Sequence, residues 1–306
     1  MHLSTFTGIS VTLIISSILH SCLASPLTDV RAARAISSIG GLAGSHGRND
    51  TSLLSRDTSS NGIFAGGKLG LAWPNGADPA LKNFVTGNTG ALYTWSPDCP
   101  SNSPLPCYRM LWGDNQIQQF QNDVKASPGK NDVILGFNEP NQAGQSNMDP
   151  QHGCALWKQY IQPKKELGYT LVSPATSSAP NGFTWVQEFM NCCTGCTIDA
   201  IAVHWYDVSA DGFIAYLEKW HNAFNKPILV TEYAVQNFNG GPQATMDEVV
   251  AFHKKVGPYM LSQPWIAKFF PFGFMREMQG VNPDNQLMDS NGNPTELGRM
   301  IINNAY

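Results

Sequence analysis

A chain of 306 residues, 42% hydrophobic and 14% charged, has ordinary globular composition and is long enough for one large domain or two small ones. Its formal net charge of −4 gives no electrostatic footprint for nucleic acid, whose binders carry a basic face, and no polybasic patch for a membrane surface. Nucleic-acid and membrane partners are therefore not expected.

Residues 1–24 carry a short apolar stretch from Val11 to Leu19 and then small residues around Ala24, which reads as a secretory signal peptide although it lacks Lys and Arg at its start. The stretch is too short to span a bilayer. Residues 25–61 are rich in Ser, Gly and Ala, without sustained periodicity, as in a flexible linker or propeptide. Asn49-Asp50-Thr51 within them is a glycosylation sequon.

Removal of the signal removes Cys22 and leaves Cys99, Cys107, Cys154, Cys192, Cys193 and Cys196. An even number in a secreted chain, extracellular or in a cell wall, argues for structural disulfides. Cys99 with Cys107, across a Pro-rich loop, is the one pairing that local sequence suggests; the other connectivity stays open. NCCTGCT also admits a zinc site with His152 or a thiol-disulfide enzyme acting through Cys193 and Cys196. One CxxC without a second pair is a poor zinc signal, and the redox reading requires a free thiol of low pKa.

From residue 62 to 306 short apolar runs recur: KLGLAWPN, TGALYTWSPD, YRMLWGDN, DVILGFNEPN, YTLVSPATS, AIAVHWYD, KPILVTEYA and WIAKFFPFGF. Continuous rather than alternating runs suit parallel strands buried on both faces. Helical patterns lie between several of them. Phe213, Tyr216, Leu217, Trp220 and Phe224 recur at steps of three and four before Pro227, Thr245-x-x-Glu248 forms a capping box, and CALWKQYIQPKKELG reads as a helix that Pro163 kinks or splits. Strand followed by helix, eight times, predicts an α/β fold, a (β/α)8 TIM barrel in a single domain. A nucleotide-binding open sheet is disfavoured, because GIFAGGKLG has neither the G-x-G-x-x-G nor the P-loop spacing and precedes a strand.

Catalytic groups of such barrels sit where strands end. The residues past each run are Trp73 with Asn75, Trp95 with Asp98, Trp112 with Asp114, Asn138 with Glu139, Thr176, His204 with Tyr206, Glu232 with Tyr233, and Phe272. Two strands end in glutamate, and a pair of carboxylates at one mouth suits cleavage of a glycosidic bond, one acid and one nucleophile or base. Asn138 is a candidate contact to a sugar 2-hydroxyl and His204 to a carboxylate or sugar. Trp73, Trp112, Trp205 and Tyr206 are candidate stacking platforms, each with core packing as the alternative.

The ordered set LAWPN, GFNEPN, VHWYD and VTEYA resembles glycoside hydrolase family 128, the alkali-sensitive linkage protein-like group within the clan of retaining (β/α)8 glycosidases, over about Lys68 to Tyr306. The resemblance implies hydrolysis of β-1,3-glucan with retention. It gives Glu139 the acid/base role, Glu232 the nucleophile role and Asn138 the 2-hydroxyl contact, with His204, Tyr206, Trp73 and Trp112 lining the cleft. Where clan relatives carry Trp at the end of the eighth strand, this chain has FFPFGF, so Phe272 or Phe274 stands as the candidate platform. The resulting expectation is a monomeric endo-β-1,3-glucanase without metal or organic cofactor, its partner a β-1,3-glucan. A lectin-like barrel that binds glucan without cleaving it is the alternative.

Overall fold

The computed structural model describes residues 64–124 and 132–306. The expected signal peptide, the linker and the Asn49 sequon lie outside the described residues.

Eight parallel strands form the centre: β1 (Leu69–Ala72), β2 (Thr89–Tyr93), β3 (Cys107–Met110), β4 (Val133–Leu135), β5 (Thr170–Val172), β6 (Ile201–Tyr206), β7 (Ile228–Ala234) and β8 (Ile266–Pro271). Each lies in one of the eight apolar runs. Their order is β5-β4-β3-β2-β1-β8-β7-β6. The two ends of that order meet through parallel bridges Val172↔Ala200 and Thr176↔Val203, supported by Ser173 N–H to Ala200 O at 3.0 Å. The sheet is thus a nearly closed (β/α)8 barrel, as expected.

Helices cover its outside: α1 (Ile117–Asp123), α2 (Pro150–Leu156), α3 (Gln162–Glu166), α4 (Pro180–Cys192), α5 (Ala210–Phe224), α6 (Met246–Ser262) and α7 (Glu296–Ile302). α5 ends at Asn225 in the left-handed region, φ 48°, followed by Pro227, which has no N–H to continue the ladder. The Thr245 and Glu248 capping box opens α6. Pro163 does split its segment: α2 passes through a π-helical turn at Trp157–Ile161 and α3 restarts with proline in its first turn, where a missing N–H costs nothing.

Between β1 and β2 the only helical element is a 3-10 helix, Pro79–Phe84, and the strict strand-helix alternation fails outright at one place. Between β2 and β3 the described chain forms no helix, because residues 94–106 place prolines at 97, 100, 104 and 106 and each removes a helical donor. This loop is closed by the expected Cys99–Cys107 disulfide.

Strand parity divides the apolar side chains into two cores. Leu69, Leu71, Leu92, Ile201, Val203, Ile228 and Val230 face the helices. Ala72, Ala91, Tyr93, Met110, Leu135, Ala202, Leu229 and Phe270 belong to a second cluster that fills the barrel. Gly70 is required for that filling, since a Cβ there would sit 2.0 Å from the Phe270 ring.

Candidate active site

Glu139 reaches the barrel mouth three residues beyond Gly136, whose missing Cβ lets the β4 extension pass close to Pro174; a Cβ would lie 2.6 Å from that residue's nitrogen. Asn138 forms a parallel bridge with Ala175, and the Glu139 N–H donates to Ala175 O at 2.7 Å. Glu139 itself takes φ 41°. A non-glycine residue held there costs about 1–3 kcal/mol and persists because its surroundings over-determine it.

Glu232 is brought inward by a bulge in β7. Val203 pairs with Val230 and His204 with Glu232, so Thr231 is one extra residue on β7. The same extra residue shows against β8, where Val230 pairs with Phe269 and Tyr233 with Pro271. The bulge shifts parity and points Glu232 at the barrel axis beside His204. The Tyr93 hydroxyl donates to the Thr231 carbonyl at 2.8 Å, pinning it.

The two acids meet across His204, which is fully buried. Its Nδ1 lies 3.0 Å from Glu139 Oε1 and its Nε2 lies 3.5 Å from Glu232 Oε1. One oxygen of each carboxylate and one ring nitrogen all lie within 4.8 Å of one another. Glu232 receives two further donors, Trp95 Nε1–H to Oε1 at 2.7 Å and the Tyr206 hydroxyl to Oε2 at 2.6 Å. Trp95 is also in the left-handed region, φ 55°, and its carbonyl accepts from Gln116 Nε2 at 3.1 Å.

Burial pushes the Glu232 carboxyl above its ordinary value; the charge of His204 and the hydrogen bonds from Tyr206 and Trp95 pull against this, while the charge of Glu139 adds to it. Burial alone would lower His204, but the charges of Glu232 and Glu139 and the bond to Glu139 outweigh it and raise the imidazole. Burial and the neighbouring Glu232 hold the Tyr206 hydroxyl well above its usual range, so it stays a donor. Both oxygens of Glu232 accept a hydrogen bond, which supports its ionised form against the effect of burial.

Two carboxylates and an imidazole are also the donor types of a metal centre. Here a cation would have to displace the contacts between His204 and both acids, and two N–H or O–H donors already occupy the Glu232 oxygens, so the set fits proton chemistry better than metal ligation.

Of the residues singled out from sequence, the barrel brings together Glu139, Glu232, His204, Tyr206, Asn138, Trp112 and Phe272. Asn138 is buried, donates Nδ2–H to Gln145 Oε1 at 3.1 Å and leaves Oδ1 without a partner. The free Oδ1 is an acceptor, and the bond to Gln145 uses one of the two amide N–H groups. Trp112 is half-buried against the interior cluster, and its carbonyl accepts the Asn138 N–H at 3.0 Å. The Phe272 ring meets Trp95 at 6.0 Å and Tyr206 at 5.9 Å between centroids, which makes it the apolar residue at the end of β8. Phe274 instead packs on Phe84 in the outer core.

Three candidates face away from the mouth. Trp73 is fully buried, packs on Phe84 and donates to Gly76 O at 2.9 Å. Trp205 packs on Phe213 and Tyr216 of α5. Tyr233 stacks on Phe213 and meets His253 of α6. Each follows an inward residue by one position, and a strand turns successive side chains to opposite faces; these residues are helix-side core, not cleft walls. In the other direction, Trp95 and Tyr93 support Glu232 although the sequence gives neither a role. Trp95 ends its run as a strand-end residue, but its partner lies 137 residues away and no local spacing announces it.

The six cysteines of the described residues form Cys99–Cys107, Cys154–Cys192 and Cys193–Cys196 bridges. Zinc is not served, because His152 pairs with Asp114 at 2.9 Å and the thiolates are consumed. Cys193 is buried and its bridge follows the C-terminus of α4, not a helix N-terminus that would lower a thiol pKa. No free thiol remains among the described residues.

A family model described as glycosyl hydrolase catalytic core matches residues 70–301. The chain is 29% identical over 242 residues to alkali-sensitive linkage protein 1 of Schizosaccharomyces pombe, a match covering 77% of this chain but 44% of that protein. The chain therefore spans less than half the length of that curated relative. Among solved structures it is similar to a family 128 exo-β-1,3-glucanase (subgroup VI) from Aureobasidium namibiae, with TM-score 0.69, 29% identity and coverage of 77% of this chain and 96% of that one. It is also similar to a family 128 exo-β-1,3-glucanase (subgroup V) from Cryptococcus neoformans, with TM-score 0.66, 27% identity and coverage of 77% and 98%. A matched catalytic core over most of the chain, on a barrel whose mouth unites two glutamates, places this protein in the glycosyl hydrolase catalytic core family and, within it, in glycoside hydrolase family 128.

Proposed function

We propose that the chain hydrolyses β-1,3-glucan with net retention, through a covalent glycosyl-enzyme. The observation that carries this reading is the approach of the two carboxylates, with oxygens within 4.8 Å. Retaining glycosidases place their carboxyls about 5–5.5 Å apart, whereas inverting enzymes need roughly 6.5–9.5 Å to admit a water. In the first step Glu232 attacks the anomeric carbon while Glu139 gives its proton to the departing glycosidic oxygen. Water then attacks the same carbon, Glu139 takes its proton, and the bond to Glu232 breaks. Tyr206 and Trp95 orient both oxygens of Glu232, and Asn138 Oδ1 is available to accept a sugar hydroxyl. We place the enzyme outside the cell or in the wall, on the strength of the disulfides and the N-terminal sequence.

The sequence reading favours internal cleavage. The two solved relatives above are described as exo enzymes, which supports release from a chain end as the competing mode. The test is incubation with laminarin, measuring new reducing ends and the product ladder. Turnover that Glu232→Gln abolishes supports the proposal; a ladder of intermediate lengths marks endo attack and a single small sugar marks exo attack. Binding of laminarin without turnover by the unmutated protein would contradict it and leave a lectin-like barrel.

A further inference from the structure

Among the described residues four large hydrophobic side chains are exposed, Leu167, Val208, Phe238 and Met246. Isolated exposed hydrophobics are ordinary, but three of these are not scattered. Val208 follows β6, Phe238 follows β7 and Met246 opens α6, so all three belong to the strand-to-helix side of the barrel where the glutamates lie. Phe238 is the most exposed, at 55%.

Its ring is also connected to the acids. The Phe238 centroid lies 5.7 Å from that of Tyr206, Tyr206 donates to Glu232, and Phe272 lies behind Tyr206 at 5.9 Å. An aromatic surface thus runs from the nucleophile's hydrogen-bond donor out to solvent. The loop that carries Phe238 is braced by its own polar groups. Asn237 N–H donates to Gln243 Oε1 at 2.9 Å, Gln243 Nε2–H returns to Asn237 O at 2.8 Å, and Asn239 N–H donates to Asn237 Oδ1 at 2.8 Å. Just before it, Gln236 Oε1 accepts from Asn282 N–H at 2.6 Å. These bonds fix the backbone on both sides of an exposed ring. A platform held in place before binding loses little freedom when a ligand lands on it.

We propose that Phe238 is a sugar-stacking platform that extends the cleft beyond Tyr206 and selects long glucan chains over short oligosaccharides. The apolar face of a glucose ring is the complement of such a ring, and continuity with Tyr206 and Glu232 assigns the surface to the chain held at the acids. The inference rests on the glucan reading above.

The experiment uses the purified chain and its Phe238→Ala and Phe238→Trp variants, each also carrying Glu232→Gln for binding measurements. Laminarin and laminaritriose are the probes. The expected result is a roughly 3- to 10-fold rise in KM for laminarin in Phe238→Ala, a smaller change in kcat, a matching loss of laminarin retention in the Glu232→Gln background, and recovery of both by Phe238→Trp. Laminaritriose parameters shift less than those for laminarin, and the melting temperature stays with that of the parent. An unchanged laminarin KM and retention in Phe238→Ala would overturn the platform while leaving the glucanase standing. If the parent binds laminarin without cleaving it, the glucanase reading falls and retention alone decides Phe238. If it neither binds nor cleaves laminarin, the platform is overturned too.

Discussion

At the base of the barrel Lys268 is fully buried on β8 and donates its ammonium to the carbonyls of Ala65, Gly66 and Gly67. At the mouth Glu139, His204 and Glu232 are buried against one another, two residues sit at positive φ, and Asn138 Oδ1 and His204 Nε2 lack a hydrogen-bond partner. Both ends bury charge, and the difference lies in what completes it. The base satisfies its cation with backbone that always stays in place, so it is finished without a ligand. The mouth keeps polar capacity in reserve, and the backbone strain of Glu139 and Trp95 is maintained by hydrogen bonds that serve chemistry more than stability.

Substitution at each end tests that contrast. Glu232→Gln keeps the shape and removes the proposed nucleophile, so turnover of laminarin should fall by about 1,000-fold or more while the urea midpoint holds or rises, since a buried carboxylate is replaced by a neutral group. A drop in stability with residual turnover would erase the distinction.

Lys268→Met should spare turnover and change how stability depends on pH. Burial lowers Lys268 from its ordinary 10.5 to about 8, so between these values the unfolded chain binds the proton and the folded protein does not. Stability from this group is therefore lowest below pH 8 and rises towards pH 10.5, by at most roughly 3 kcal/mol. Urea titrations at pH 7.5 and 10 should show that rise in the parent relative to Lys268→Met, with turnover of the folded variant within a few-fold. A kinetic collapse would place the base in the catalytic apparatus.

His204→Asn removes the charge that lowers Glu232. The acid limb of the kcat/KM profile should move to higher pH, and kcat should fall by about 10- to 100-fold. An unmoved limb would reduce His204 to packing. Smaller again is the contrast between two tryptophans: Trp95→Phe, losing the donor to Glu232, should cost about 10-fold in kcat/KM, whereas Trp205→Phe should leave kcat/KM within about 2-fold and lower stability by about 1 kcal/mol. Equal effects would contradict the division between mouth and helix-side core.

Much of the barrel is legible because each buried strand is a compact apolar run, and LGFNEPN and VTEYA mark their acids by ending such runs in charge. Less legible is the direction of individual side chains. Trp73, Trp205 and Tyr233 look like cleft residues by position but alternate onto the helices. Glu232 breaks simple alternation because Thr231 is an extra residue, and that bulge exists only in the pairing with β6 and β8. The helix expected after β2 fails for a reason the sequence does contain, four prolines in one loop. Trp95 stays hidden because its meaning is its bond to a carboxylate on a distant strand.

The central claim is that Glu139 and Glu232 act by double displacement. Proton NMR of the first products released from laminarin or a laminari-oligosaccharide, before mutarotation, reads it directly. The account predicts the β-anomer appearing first, with the α-anomer following only at the spontaneous rate; initial formation of the α-anomer would contradict it.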